Sequence, residues 1–137
     1  MYSHIQIGAR DVPALAVFYD GVLATLGLVR IVHDEDRGPA GAGWQRPGLY
    51  WPQFYIQSPI NGLPATWGNG VQVSFAAHSI EQVQAAWDTA LRLGGTDEGA
   101  PGNRPQYGDD YYGAYCRDPE GNKLCFVFAR SMATQQQ

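Results

Sequence analysis

Apolar and polar residues alternate from the start of the chain. Ile5, Ile7 and Ala9 fall on one face and His4, Gln6 and Gly8 on the other, the period of a half-buried strand. Asp11 is placed to cap a helix, with Pro13 tolerated in its first turn. Leu15, Phe18, Tyr19, Val22, Leu23 and Leu26 then recur at helical spacing until Gly27 ends the run. Strands are predicted at 28–32, around Trp44 and at 53–57. The pattern then starts again. Val71, Val73 and Phe75 alternate with Gln72, Ser74 and Ala76, and Ser79 with Gln82 forms a capping box. The helix it opens carries Ile80, Val83, Trp87, Ala90 and Leu91, and stops at Gly94-Gly95. A Gly-, Pro- and Asp-rich stretch from about Glu98 to Asp110 is predicted to be a long loop. Two strands follow, flanking a turn at Asp118-Pro119-Glu120-Gly121-Asn122.

These two runs are copies at low identity. A shift of 68 places Ile5 on Val73, Asp11 on Ser79, Tyr19 on Trp87 and Gly27 on Gly95 without a gap. The order predicts an α+β fold of two tandem βαβββ modules forming a curved mixed sheet around a cleft, with the helices on the outer face. One domain spans residues 1–130, with half-modules at about 2–58 and 70–129. Residues 131–137 are expected to be a frayed tail.

The bulk composition narrows the partners. With 137 residues, 45% of them hydrophobic and 16% charged, the chain can bury a core without staples. A net charge of −4 and no basic stripe argue against nucleic acid. No apolar run approaches the roughly 18 residues of a membrane span, and the first residues do not resemble a secretion signal. A cytoplasmic setting is expected, with Cys116 and Cys125 reduced.

In this order and spacing, Ser3-His4-Ile5, Asp11, Phe18-Tyr19, Leu26-Gly27-Leu28 and the closing run Ala114 to Leu124 resemble the vicinal oxygen chelate superfamily. That superfamily includes glyoxalase, bleomycin-resistance and extradiol-dioxygenase-like proteins. The resemblance covers about residues 2 to 129. It implies a homodimer, and it places the metal-ligand positions of metal-dependent relatives on His4, Gln57, Gln72 and Cys125. The offset of 68 between His4 and Gln72, and again between Gln57 and Cys125, supports that placement.

Glyoxalase-type chemistry requires a divalent cation and a carboxylate that moves a proton. Here Cys125 stands where the resemblance implies a glutamate, and two of the remaining positions are neutral amides. The expectation is therefore no metal and no assigned catalytic residue. Zinc on His4 and Cys125 is the least implausible cation, because zinc accepts mixed nitrogen and sulfur donors. The bland reading of His4 is a hydrogen-bonded imidazole, and of Cys125 a small buried apolar residue. His33 and His78 fall near element ends and are expected to be solvated.

Aromatic residues instead gather near the expected cleft: Tyr50, Trp51, Phe54 and Tyr55 beside one strand, and Tyr107, Tyr111, Tyr112 and Tyr115 beside another. Some would serve core or dimer packing. The candidate ligand-binding set is His4, Gln6, Tyr55, Gln57, Gln72, Ser74, Arg104, Tyr115 and Cys125, with Arg104 on a candidate lid as a clamp for a carboxylate or phosphate. The function expected is the binding of a small aromatic or planar organic molecule. The alternative is a glyoxalase-like lyase or isomerase with an atypical His/Gln/Gln/Cys metal site.

Overall fold

The two long helices begin where side chains can satisfy their first amides. Asp11 accepts the Ala14 amide at 3.0 Å to open α1 (Val12–Ala24), with a proline in its first turn. Ser79 accepts the Gln82 amide at 3.1 Å to open α2 (Ile80–Arg92). Gln82 reaches back to the His78 amide, one residue before the cap, at 2.8 Å. Gly27 (φ 80°) and Gly94 (φ 101°) follow the helix ends, in a conformation that side chains with a Cβ avoid.

The computed structural model describes residues 1–32 and 38–133, so the expectation for His33 lies outside the described residues. The first module contains β1 (His4–Gly8), α1, β2 (Val29–Arg30), β3 (Gly41–Gln45) and β4 (Gln53–Gln57). The second contains β5 (Gln72–Ala76), α2, β6 (Thr96–Asn103), β7 (Tyr112–Arg117) and β8 (Lys123–Phe128), followed by α3 (Arg130–Ala133). The fold is α+β with two tandem modules, as expected. Each module keeps its own four-stranded mixed sheet, in the orders β1-β4-β3-β2 and β5-β8-β7-β6.

Three local expectations are corrected. Residues 98–103, the first part of the expected loop, belong to strand β6, with register shifts around Gly99 and before Gly102. Glycine and proline concealed it. Pro101 is tolerated because β6 is an edge strand, where a missing N–H need not break a ladder. The expected tail begins as helix, with Arg130–Ala133 forming α3.

The third correction concerns the repeat. The offset is 68 at the first strands and helices, but His4 opposes Gln53 in β4 while Gln72 opposes Lys123 in β8. By the last strand the offset has therefore grown to 70. Tyr55, not Gln57, is the counterpart of Cys125, and Gln57 corresponds to Val127. The insertion is an even number of residues, so strand parity survives and Gln57 stays on the face it was assigned.

One core joins the modules. Phe18, Tyr19, Val22 and Leu23 of α1 are buried with Val83, Ala86 and Ala90 of α2, over Trp44, Phe54, Ile56, Ala114, Cys116, Leu124 and Phe126 from the two sheets. Phe54 and Phe75 meet edge-to-face across the junction at 5.1 Å. The 118–122 turn adds polar links: Glu120 accepts the Arg10 and Asp11 amides at 2.6 and 3.1 Å. Among the described residues, no helix is long and apolar enough to cross a membrane.

Candidate functional site

Alternation on the strands decides which side chains leave the core. On β7 and β8, Ala114, Cys116, Leu124 and Phe126 turn toward α2, so Tyr115, Lys123 and Cys125 occupy the opposite face. On β5 the same rule puts Gln72 and Ser74 there, with Ser74 beside Cys125 in the strand register. The Gln72 amide donates to Ser74 Oγ at 3.0 Å.

A cavity of about 620 Å³ opens on this face, lined by Gln72, Glu98, Gly99, Arg104, Gln106, Tyr107, Tyr111, Tyr115 and Lys123. Its walls are shaped by glycines. A β-carbon at Gly113 would lie 2.8 Å from the Tyr111 ring, and one at Gly102 would lie 2.9 Å from an Arg104 guanidinium nitrogen. Both side chains therefore lie close against backbone. The bulged course of β6 gives Arg104 two carbonyl anchors, Ala100 at 2.7 Å and Asn103 at 3.3 Å. What looked like a lid loop is, through Asn103, a strand that holds an arginine in place.

The tyrosines are linked to each other. Tyr111 Oη lies 3.1 Å from Tyr115 Oη and 3.4 Å from Cys125 Sγ. Burial pushes the Tyr111 phenol well above its ordinary value, and Cys125 and Tyr115 as hydrogen-bond partners add to the effect. Burial also raises Tyr115. These hydroxyls stay protonated near neutral pH and work as donors. The Arg104 guanidinium and the Lys123 ammonium each sit 5.7 Å from the centre of the Tyr115 ring. Glu98 is committed to Arg117, Oε1 to Nε at 2.6 Å.

Of the sequence-assigned residues, Gln72, Arg104 and Tyr115 line this cavity, with Ser74 and Cys125 on the same sheet face. His4, Gln6, Tyr55 and Gln57 lie on the first sheet. There Gln6 pairs with Tyr55 and Gln57 with Gly8 in the strand register. His4 Nδ1 is 2.9 Å from Ser3 Oγ, and its ring is 5.9 Å from that of Trp51. Tyr55 covers Gly43, where an added β-carbon would lie 2.7 Å from the ring. Glu98, Gln106, Tyr107, Tyr111 and Lys123 were not in the assigned set. Lys123 was detectable, since it shares strand parity with Cys125.

A second cavity, about 190 Å³, lies at the module junction among Ile5, Leu26, Leu28, Trp44, Phe54, Val73 and Phe75. It is the more apolar of the two, but the convergent polar groups are in the larger one. His78 borders the smaller cavity and is exposed, as expected.

A family model described as a glyoxalase-like domain matches residues 4–127. The chain belongs to that family. A glyoxalase/bleomycin resistance protein from Albidiferax ferrireducens T118 is 38% identical with a TM-score of 0.79, over 93% of this chain and 98% of that one. A glyoxalase/bleomycin resistance protein/dioxygenase family enzyme from Burkholderia phytofirmans PsJN shares the fold at 22% identity and TM-score 0.70, over 93% and 97% of the two chains. No protein with a curated description matches.

The ligand positions implied by metal-dependent relatives fall on His4, Gln57, Gln72 and Cys125. They offer an imidazole, two neutral amides and a thiol; taking Tyr55, the counterpart of Cys125 at the corrected offset, in place of Gln57 adds only a phenol that burial keeps protonated. Among the described residues, no three His, Cys, Asp or Glu side chains group as a cation would require. This donor set does not fit a divalent catalytic ion.

Proposed function

We propose that this glyoxalase-like protein binds and sequesters a small planar organic molecule on the tyrosine-lined face of its second sheet, without a catalytic metal. The observation that carries this reading is the cavity of about 620 Å³ where Tyr107, Tyr111 and Tyr115 meet the amides of Gln72 and Gln106. Its size falls within the roughly 300–1,000 Å³ of small-ligand sites. Ring faces supply dispersion to a flat guest, and the amides and phenols fix its orientation.

Sequestration is favoured over turnover by the state of the candidate proton-transfer groups. Glu98, the carboxylate in the lining, is paired with Arg117, and the phenols of Tyr111 and Tyr115 are held protonated, so they are not available to take up a proton near neutral pH. The two unbridged cysteines support a reducing, cytoplasmic setting. We also propose a homodimer. The sheet edges at β1 and β5 and the 41%-exposed Ile5 support it, and sedimentation equilibrium would test it.

Calorimetric titration of a panel of bicyclic aromatic molecules tests the function. Saturable binding that weakens by about tenfold in Tyr115→Ala is expected. A panel without a single binder overturns the proposal. Stoichiometric metal in protein purified without chelator, lost in His4→Ala, would overturn the metal-free part alone.

A further inference from the structure

The cavity has a charge of its own that the net −4 of the chain conceals. Arg104 and Lys123 both approach Tyr115, each 5.7 Å from its ring centre. The Glu98 carboxylate that could have balanced them is held by Arg117 at 2.6 Å. Among the described residues, no carboxylate lies within ion-pair distance of Lys123 or Arg104, and no hydrogen bond engages the Lys123 ammonium. The two cations are thus gathered around one ring with no anion of their own.

We infer that the cavity selects organic anions, and that Lys123 and Arg104 are its specificity-determining residues, favouring a planar aromatic carboxylate. This rests on the proposed binding of a planar guest on this face. Two like charges sharing a half-enclosed site repel, and an anion placed near them relieves the repulsion while gaining a charge-assisted hydrogen bond. The geometry favours a carboxylate that extends from a flat ring system. The ring lies against the tyrosines, and a head group in the ring plane meets cations that are themselves packed on a tyrosine. Arg104 is fixed in advance by the Ala100 and Asn103 carbonyls, so little side-chain freedom remains to be lost. Lys123 is the adaptable partner, a compact ammonium on a flexible stem. A cationic guest would meet the same two charges as repulsion.

The test is calorimetric titration of the full chain with three probes of one shape: 2-naphthoate, 2-naphthamide and 2-naphthylmethylammonium. The expected order is naphthoate tightest by about tenfold over the amide, the ammonium weakest, and the gap shrinking in ~0.5 M salt. Lys123→Gln should remove about tenfold from naphthoate and much less from naphthamide, so that the preference between the two collapses, and Lys123→Arg should retain it. Arg104→Gln should move in the direction of Lys123→Gln. 2-Naphthyl phosphate separates a carboxylate preference from a general anion preference; stronger binding of the phosphate would overturn the assignment to a carboxylate. Equal binding of the three shape-matched probes, or an unchanged preference in Lys123→Gln, would overturn anion selection yet leave planar binding standing. Failure of all probes would overturn both.

Discussion

The Tyr19 hydroxyl donates a 2.6 Å hydrogen bond to Asp118 Oδ2, joining the helix of the first module to the closing turn of the second across 99 residues. Both residues are buried. The same carboxylate accepts the Glu120 and Asn122 amides and the Asn122 side-chain amide, at 2.8 to 3.0 Å. Burial is the main reason that the Tyr19 phenol is raised well above its ordinary value, and the Asp118 charge adds to it. The Tyr19 hydroxyl therefore keeps its proton and remains the donor of this bond near neutral pH.

Tyr19→Phe keeps the ring contacts with Phe18, Trp44 and Phe54 and removes only the donor. The expected loss in urea-denaturation stability is about 1.5–3 kcal/mol, the range for a hydrogen bond to a charged group. Asp118→Ala should cost more, since it strips three further donors of their acceptor. A Tyr19→Phe protein as stable as the parent would show that the turn, not the cross-module bond, holds the halves together.

That bond was not legible in the sequence, whereas its local surroundings were. Asp11 and Ser79 announce their helices because a cap acts within three residues, and the 118–122 turn is written in adjacent residues. Nothing local connects Tyr19 to Asp118. The repeat revealed the two modules, but a two-residue insertion shifted Gln57 from its expected partner, because low-identity copies carry no marker for where a gap enters. Strand β6 was hidden because its glycines serve close approach by Tyr115 and Arg104 rather than a turn. Lys123 does not stand out in the sequence because a lysine at a strand start usually reads as solvated surface.

The Asp20–Arg30 pair predicts a small pH effect. Arg30 bonds both Asp20 oxygens, at 2.9 and 2.6 Å, and Trp44 Nε1 donates to Oδ1 at 2.9 Å. The Arg30 hydrogen bond leads in lowering the Asp20 carboxyl below its ordinary value. A depressed folded pKa contributes stability above the unfolded value, about 3.9, and that contribution is lost as pH falls through the folded pKa. Both side chains are 44% exposed, so the contribution is at most about 1 kcal/mol. Asp20→Asn should lower stability at pH 7 and narrow its gap from the parent toward pH 2, followed by thermal melts. A pH-independent gap would place the effect in packing instead.

Both cysteines are buried and unbridged, and burial pushes the Cys116 thiol up to about 12. Thiolate is the reactive form, so the folded protein at pH 8 should resist a water-soluble disulfide reagent and release two equivalents only on denaturation. The raised pKa stabilises the fold fully below the unfolded value near 8.5, and that share is lost as pH rises toward 12. Rapid labelling of native protein at pH 8 would contradict the buried placement.

Gly113 and Gly43 offer a matched pair of substitutions for locating the site. An added methyl at Gly113 would come within 2.8 Å of the Tyr111 ring, and one at Gly43 within 2.7 Å of the Tyr55 ring. Neither glycine needs a positive φ, so alanine strains no backbone and acts only by displacing a ring. Overpacking of this kind costs about 1–3 kcal/mol, so similar losses of stability are expected from both. Their effects on binding should diverge. Gly113→Ala moves Tyr111 out of its bonds with Tyr115 and Cys125 and should weaken binding of a planar guest by about tenfold. Gly43→Ala disturbs only the first sheet and should leave that affinity unchanged. Titration of both variants with the same bicyclic probe decides it: a loss confined to Gly43→Ala would move the site to the first sheet, beside Gln6 and Tyr55.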